Sequence, residues 1–468
     1  MAIEARSIDY IPAQERHGQA WHLWPVWFTS GTQLATVATG VIGVALGANF
    51  LWCAIAIVSG CATGTFFMAF HSAQGPQLGL PQMIQSRPQF GYVGALLVWI
   101  IALISYVGYN AFNEVLAGDT AHRLAHFDPR IAAVAFTSMA LAVSAVGYDL
   151  IHAAQRWLAC VLIAVLAVFT VIACLRLHLP PGAWSLLPFP RFAFLTQFFA
   201  AAAYQLSGAF YVSDYSRYLP REVGLKAPFW WTYAGALAGS AWTMLIGAAA
   251  AAVTPHASVA AALEAAGDIV FPGFGALLLA VSLLGLLTMT SLNYYGGSLT
   301  LLSVLDSFRP LRPTRSQRVS SVIFVGMIAH SIAFAVSGDF VSGFSELLAV
   351  LLYLFTPWTA INLVDFYFVR KTQYSIREIF NPRGLYGRWN WRGLSAYAAG
   401  FIAMLPFMST DFYRGPVARS LHGADLSMPV GLLVAGGLYM LSYRFADLGN
   451  ELRAATHADV GLDLECET

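Results

Sequence analysis

Four short runs in this chain place hydroxyls, amides and aromatic rings inside otherwise apolar segments. They are Thr29-Ser30-Gly31-Thr32-Gln33, Tyr106-Val107-Gly108-Tyr109-Asn110, Tyr204-Gln205-Leu206-Ser207-Gly208 and Thr288-Met289-Thr290-Ser291-Leu292-Asn293. None holds an acid, a base or a thiol. Their chemistry is therefore ring stacking, neutral hydrogen bonding and ligation of a hard cation by oxygen. Tyr106 and Asn110 stand four residues apart and share one helix face, so an aromatic plate lies beside an amide, which suits a flat hydrogen-bonding ring. The hydroxyls of Thr288, Thr290 and Ser291 and the amide of Asn293 are oxygens of the kind that Na⁺ takes.

Each run has two readings. In Thr29–Gln33 the helix unwinds and its freed carbonyls hold a small cation. Alternatively, the hydroxyls bond back to their own helix. Gln33 falls about ten residues, or roughly 15 Å, into its segment, near mid-depth. In Tyr204–Pro220, Gln205, Ser207 and Gly208 soften an apolar helix that ends in the polar exit Ser213-Asp214-Tyr215-Ser216-Arg217-Tyr218. That pattern marks either a broken helix lining a binding site or an interior helix that lets its neighbours approach closely.

The elements that must carry these runs are membrane spans. The chain has 468 residues, 58% hydrophobic and 10% charged, with a mean hydropathy of +0.64. Soluble domains carry about 25% charge. Twelve segments have the apolar length a span needs: Leu23–Leu46, Phe50–Phe70, Tyr92–Leu116, Ile131–Gly147, Trp157–Leu175, Phe194–Ser213, Phe229–Val253, Phe274–Leu305, Val319–Ser337, Val341–Phe368, Leu394–Met408 and Met428–Tyr443. With both termini and every second loop on one side, 19 of the 25 Lys and Arg residues fall there, which the positive-inside rule makes the cytosol. The first and sixth spans share a polar break at mid-depth and lie five spans apart, the spacing of two inverted five-helix repeats.

Several functions are set aside. A net charge of +1 gives nucleic acid nothing to bind. The five cysteines form no CxxC pair, and no GxGxxG, Walker loop, HExxH or GxSxG occurs, so neither an enzyme nor a cofactor site is expected. Glu114, Glu346 and His330 are the ionisable residues deepest in apolar segments. Glu114 is open to a coupling role or to simple hydration at its helix end, and His330 reads as a packing residue. Asp149, Asp214 and Asp365 read as ties between helix ends and loops, and the inner loop FRPLRPTRSQR as topogenic.

Three longer motifs carry a family resemblance: Ser86-Arg87-Pro88-Gln89-Phe90-Gly91, Ser213-Asp214-Tyr215-Ser216-Arg217-Tyr218-Leu219-Pro220 and Asn362-Leu363-Val364-Asp365-Phe366-Tyr367-Phe368-Val369-Arg370. With them the chain resembles the nucleobase–cation symporter-1 (purine–cytosine permease) family from the first span to the twelfth. The resemblance implies an all-α polytopic membrane protein of the leucine-transporter type, with twelve transmembrane helices in a 5+5 inverted repeat plus two C-terminal helices. It implies a cytosolic tail at 1–22 and a transport core at 23–370, with repeats at about 23–176 and about 193–370. Accessory helices follow at 393–444 and a cytosolic tail at 445–468.

The implied activity is symport of cytosine, a purine, uracil, allantoin or a hydantoin with Na⁺ or H⁺ across the plasma (inner) membrane. Gln33, Tyr106, Asn110 and Asn293 are implied to contact substrate, and Thr29, Thr32 and Thr288 to contact Na⁺, with the second hydroxyl open among Met289, Thr290 and Ser291. The chain departs from the family where the sixth span should supply a second stacking aromatic. Gln205 stands there, with Tyr204 beside it. The alternatives are a same-fold carrier of another small solute, such as an amino acid or thiamine, and a non-transporting sensor.

Overall fold

The computed structural model describes residues 9–146, 148–308, 314–335, 339–444 and 448–459. The basic inner loop is therefore described only at its ends, and the side chain of Asp149 lies outside the described residues, as does Cys466. Among the described residues the chain is helical, with one isolated β-bridge, Ser409 to Arg414, and no strand.

A helix occupies each of the twelve apolar segments. Seven are long and apolar enough by themselves to cross a membrane: Phe50–Leu78, Leu96–Ala125, Trp157–Arg176, Lys226–Val253, Phe274–Asp306, Ser316–Ala335 and Phe340–Val369. The others are shorter pieces. The first span is divided into Leu23–Ser30 and Leu34–Ala45, and the sixth into Arg191–Leu206 and the single turn Val212–Ser216. The fourth is Pro129–Val146, the eleventh Trp391–Met404 and the twelfth Ser427–Arg444.

Both breaks follow from local sequence. At the first, Gly31 closes the helix by donating to the Trp27 carbonyl (3.2 Å), and Thr32 donates to Thr29 (3.0 Å). Gln33 is then fully extended (φ −152°, ψ 166°), and its carbonyl accepts from Thr36 and Val37 to start the next helix. At the second, Gly208 and Ala209 turn back onto the Gln205 and Leu206 carbonyls (3.1 and 2.9 Å), and the helix restarts only at Val212. These turns give Gly31, Thr32, Thr36 and Val37 at the first break, and Gly208, Ala209 and Tyr211 at the second, carbonyl partners inside the protein, as leaving a helix within lipid demands.

Glycines bring the first and seventh spans into backbone contact. A Cβ on Gly239 would stand 2.2 Å from the Phe28 carbonyl, and one on Gly247 2.1 Å from that of Val37. From the other side, a Cβ on Gly40 would stand 1.9 Å from the Met244 carbonyl. Small residues at such crossings are the main source of helix association in a bilayer, where apolar burial gives no driving force.

Gly239→Ala should therefore cost about 1–3 kcal/mol through overpacking. A thermal melt of the detergent-purified protein should fall by several degrees. Gly437→Ala, which meets nothing within 4 Å, should melt as wild type.

Candidate functional site

The two breaks face each other across a cavity. Its wall takes Trp27, Ser30, Gly31 and Gln33 from the first span, and Tyr204, Gln205, Ser207, Gly208, Phe210 and Tyr211 from the sixth. The third span adds Ser105, Tyr106, Tyr109 and Asn113, and the eighth Met289 and Asn293. No residue of the wall carries a charge.

Tyr204 joins the two broken helices. Its hydroxyl accepts from Gln33 Nε2 at 2.7 Å and lies 2.5 Å from Thr36 Oγ1. Gln33 Nε2 also reaches the Ser30 carbonyl at 3.1 Å, one of the carbonyls left at the end of the first half-helix. Tyr109 stands edge-on to Tyr204, with centroids 6.1 Å apart and planes at 88°, and its hydroxyl shares a 2.8 Å hydrogen bond with Ser207 Oγ. Trp27 stacks on Tyr211 at 5.9 Å, and Phe210 meets Tyr106 edge-on at 5.2 Å. The wall is thus mostly ring faces, ring edges and neutral amides.

The third span sits in a register that its sequence leaves open. Tyr106, Tyr109, Asn110 and Asn113 follow the i, i+3, i+4, i+7 stripe. Tyr106, Tyr109 and Asn113 line the cavity. Asn110 is buried behind the wall, with neither amide atom hydrogen bonded. The ring-and-amide pair four apart that both reach the cavity is Tyr109 with Asn113, one turn beyond Tyr106 and Asn110. The signal was present in the sequence, because Tyr109–Asn113 has the same spacing.

Gln205 touches the wall, but its amide is committed to the scaffold. Nε2 donates to Thr65 Oγ1 (2.5 Å) and the Ala236 carbonyl (3.2 Å), and Oε1 accepts from Ser240 (2.9 Å). It ties the sixth span to the second and seventh and leaves Tyr204 to face the first.

Of the cation candidates, Thr29 and Thr32 donate to the Pro25 and Phe28 carbonyls, both at 2.8 Å. Thr288 donates to Gly285 at 2.9 Å and Ser291 to Leu287 at 2.8 Å. Thr290 Oγ1 accepts from Asn113 Nδ2 at 3.2 Å. A hydroxyl that donates to its own helix still offers lone pairs. Among the described residues there is no group of three or more His, Cys, Asp or Glu that could hold a metal. Any cation here would depend on neutral oxygens.

On the side where the sixth span exits, the three long motifs converge in one buried hydrogen-bond chain. Ser213 Oγ donates to Gln82 Oε1 (2.5 Å), Gln82 Nε2 to Gln74 (3.3 Å), Gln74 Nε2 to Asn362 (2.8 Å), Asn362 Nδ2 to Gln89 (3.3 Å) and Gln89 Nε2 to Asp365 (2.6 Å). Asp365 pairs with Arg370 and accepts from Tyr374 and Tyr439, both at 2.9 Å. Arg370 reaches on to Glu451 at 2.7 Å. Asp214 accepts from the Gln82 amide at 2.9 Å. The C-terminal segment Leu448–Ala458 is thus a helix bound to the end of the tenth span, where the sequence suggested only a tail.

Comparison with known proteins adds the relatives. The family profile described as "Permease for cytosine/purines, uracil, thiamine, allantoin" matches residues 10–431. The chain is 36% identical over 441 residues to a putative purine-cytosine permease, YxlA, of Bacillus subtilis, covering 94% of this chain and 95% of that one. Its fold superposes on Mhp1, described as a nucleobase-cation-symport-1 family transporter with bromovinylhydantoin bound in a closed conformation. The TM-score is 0.72 at 18% identity, covering 96% and 99% of the two chains. A Na⁺-coupled sialic acid symporter superposes with TM-score 0.63 at 12% identity, covering 95% and 93%.

The Asp365–Arg370 pair gives a direct test of the buried chain. Removing one partner of a buried pair costs about 3–5 kcal/mol, and without Asp365 the buried Arg370 keeps only the part-exposed Glu451 as a counter-charge. Asp365→Asn should cut the yield of folded protein and lower its melting temperature sharply. Adding Arg370→Met should recover part of that loss in the same melt.

Proposed function

The chain belongs to the family of permeases for cytosine/purines, uracil, thiamine and allantoin, and from that premise we propose that it carries a planar, uncharged nucleobase-type ring into the cell by cation symport. The reading rests on one observation above all: the cavity between the two broken helices is lined by rings and neutral amides and by no charge.

The chargeless wall selects the substrate class. A zwitterionic amino acid or a cationic vitamin would bring charge into a site with nothing to pair it, at a cost of several kcal/mol. A neutral heterocycle brings only donors and acceptors in its plane and two apolar faces. Tyr109 and Tyr204 offer ring surfaces, and base–aromatic stacking is worth about 1–3 kcal/mol. Gln33 offers its Oε1 as an in-plane acceptor, its Nε2 being engaged with Ser30 and Tyr204, and Asn113 and Asn293 offer amides that donate and accept. Tyr106 closes the wall beside Phe210, and Tyr204 holds Gln33 in place.

Alternating access would work on the break itself. Substrate bridging Gln33 and Tyr204 on one side and Asn113 and Asn293 on the other joins four helices at one point. A cation at the neutral oxygens of Thr29, Thr32 and Thr288 would order the first break against the eighth span, so that each ligand strengthens the other. In this reading both termini are cytosolic, which the Lys and Arg distribution supports. The halves 23–176 and 193–370 act as the two repeats, and 393–444 as accessory helices.

Uptake of radiolabelled cytosine and hypoxanthine into proteoliposomes, competed by unlabelled uracil, allantoin and hydantoins, tests the class. Competition by none of them, with transport of a charged solute instead, refutes it. Asn113→Ala and Asn293→Ala should each weaken apparent affinity by about 5- to 150-fold, one buried hydrogen-bonding group being worth about 1–3 kcal/mol. Asn110→Ala should leave affinity within about twofold. The reverse order for Asn110 and Asn113 would return the site to the Tyr106–Asn110 register.

A further inference from the structure

A second polar cluster lies outside the cavity and takes no part in holding substrate. Glu114 of the third span is 2% exposed at its side chain. Its Oε1 is 2.5 Å from Nδ1 of His330 on the ninth span, and its Oε2 is buried without a partner. Tyr294 of the eighth span stands within electrostatic range of Glu114, and its buried hydroxyl lies beside that of Thr137 of the fourth. Four spans thus bring a carboxylate, an imidazole and two hydroxyls into one buried neighbourhood. His330 is 38% exposed at its side chain, which leaves the cluster one open edge.

The charged groups around it are otherwise engaged. Arg123, outward on the same helix, pairs with Glu264 at 3.7 Å, and His122 bonds the Phe127 carbonyl at 2.7 Å. From the fourth span Arg130 lies over the Phe334 ring. From the eighth and ninth, Arg318 bonds Tyr295. From the tenth, Asp339 caps its own helix and Glu346 accepts from the Asp411 amide. Asp119 lies more than a turn further out on the third span. Among these groups only the His330 imidazole is bonded to the Glu114 carboxylate.

We propose that Glu114, held by His330, is the proton-binding site of this carrier, which rests on the symport reading above. The pair has two forms that differ by one proton. With one shared proton fewer, it carries a net charge of −1; with that proton bound, it is neutral. Burying a lone negative charge between helices is costly, and burying a neutral pair far less so. The unloaded pair therefore favours a conformation in which water reaches it, and the loaded pair favours one in which it is closed off. The proton comes from the outer solution and leaves to the cytosol, with no other species consumed.

The placement supplies the link to substrate. Glu114 follows Asn113 and Tyr294 follows Asn293, so the two helices that carry the cluster also carry two of the cavity's amides. Asn113 and Thr290 already bind those helices to each other at 3.2 Å. A shift of the third span against the eighth on proton binding would move both amides together.

The test uses purified full-length protein in proteoliposomes with labelled cytosine and hypoxanthine as probes and a trapped pH dye. Wild type should accumulate a probe under an inward proton gradient without Na⁺ and acidify the lumen as it does so. Glu114→Gln should keep equilibrium counterflow of the probe and lose at least 10-fold of gradient-driven accumulation and the dye signal. Retained counterflow shows that the variant is folded and the cavity intact. Should Glu114→Gln fail to fold, His330→Asn replaces it, with an expected shift of about one pH unit or more in the external-pH midpoint of uptake; an unmoved midpoint overturns the proposal. Accumulation by Glu114→Gln at the wild-type level, or wild-type accumulation driven by Na⁺ with no response to pH, overturns it as well. No movement of any nucleobase by wild type would instead sink the symport reading itself.

Discussion

An amide that leaves a helix inside a bilayer has no water to turn to, and this chain leaves a helix twice at mid-length. The rest of the architecture follows from making those two departures tolerable. Local turns take up the amides of Gly31, Thr32, Thr36 and Val37 at the first departure and of Gly208, Ala209 and Tyr211 at the second. Side chains take up what the turns leave. Gln33 covers the Ser30 carbonyl and reaches Tyr204, and Gln205 is fixed by Thr65 and Ser240. The glycine contacts between the first and seventh spans then hold the two half-helices on a common backbone support. A cavity with polar walls survives at the crossing because each break brings backbone polarity to mid-depth without a charge, beside the side-chain amides Asn113 and Asn293 of the unbroken third and eighth spans.

How much of this was legible depends on whether a feature is written in composition or in rotation. Apolar length is composition, so each of the twelve segments carries a helix where hydropathy places it. The breaks are composition too, since Gly31, Gln33, Ser207 and Gly208 have no reason to sit at mid-depth in an intact helix. The register of the third span is rotation. Tyr106–Asn110 and Tyr109–Asn113 are equivalent as spacings, and only packing distinguishes them. Gly296 of the eighth span lets the Tyr106 ring lie where a Cβ would come within 2.8 Å of it, which sets the third span's rotation and turns Tyr109 and Asn113 into the wall. A pattern on one helix holds no information about a glycine nearly two hundred residues away.

The three long motifs show the same division. Their residues resemble a family, yet nothing in Ser213, Gln89 or Asp365 singly says that they belong to one hydrogen-bond chain. Read alone, Asp214 and Asp365 are helix-end ties, and each does make such a tie, to the Gln82 amide and to Arg370. What only the fold reveals is continuity from the end of the sixth span through the loop after the second to the tenth span and the C-terminal helix. A buried network of this kind stabilises only when every member is satisfied, so it favours one arrangement of those elements over intermediates. That is the property required of the closed end of an alternating-access carrier, and the chain lies directly beyond the second break.

Glu114 and His330 occupy the remaining position in that scheme. The substrate cavity has no charge with which to sense a gradient, and the polar chain beyond the sixth span is built around a committed ion pair, Asp365 with Arg370. A carrier that draws on a proton gradient to move a neutral ring uphill needs a group that takes and releases a proton during the cycle, because a ligand shifts an equilibrium only through its differential affinity for the two states. Among the described membrane-embedded groups, Glu114 has a carboxylate oxygen still without a partner, an imidazole bonded to the other, and helix neighbours that line the substrate cavity. Energy coupling in this reading is a matter of adjacency along the third and eighth spans. The carboxylate sits one residue past Asn113 on the third span and the Tyr294 phenol one residue past Asn293 on the eighth, close enough to move with those amides and outside a cavity that stays neutral.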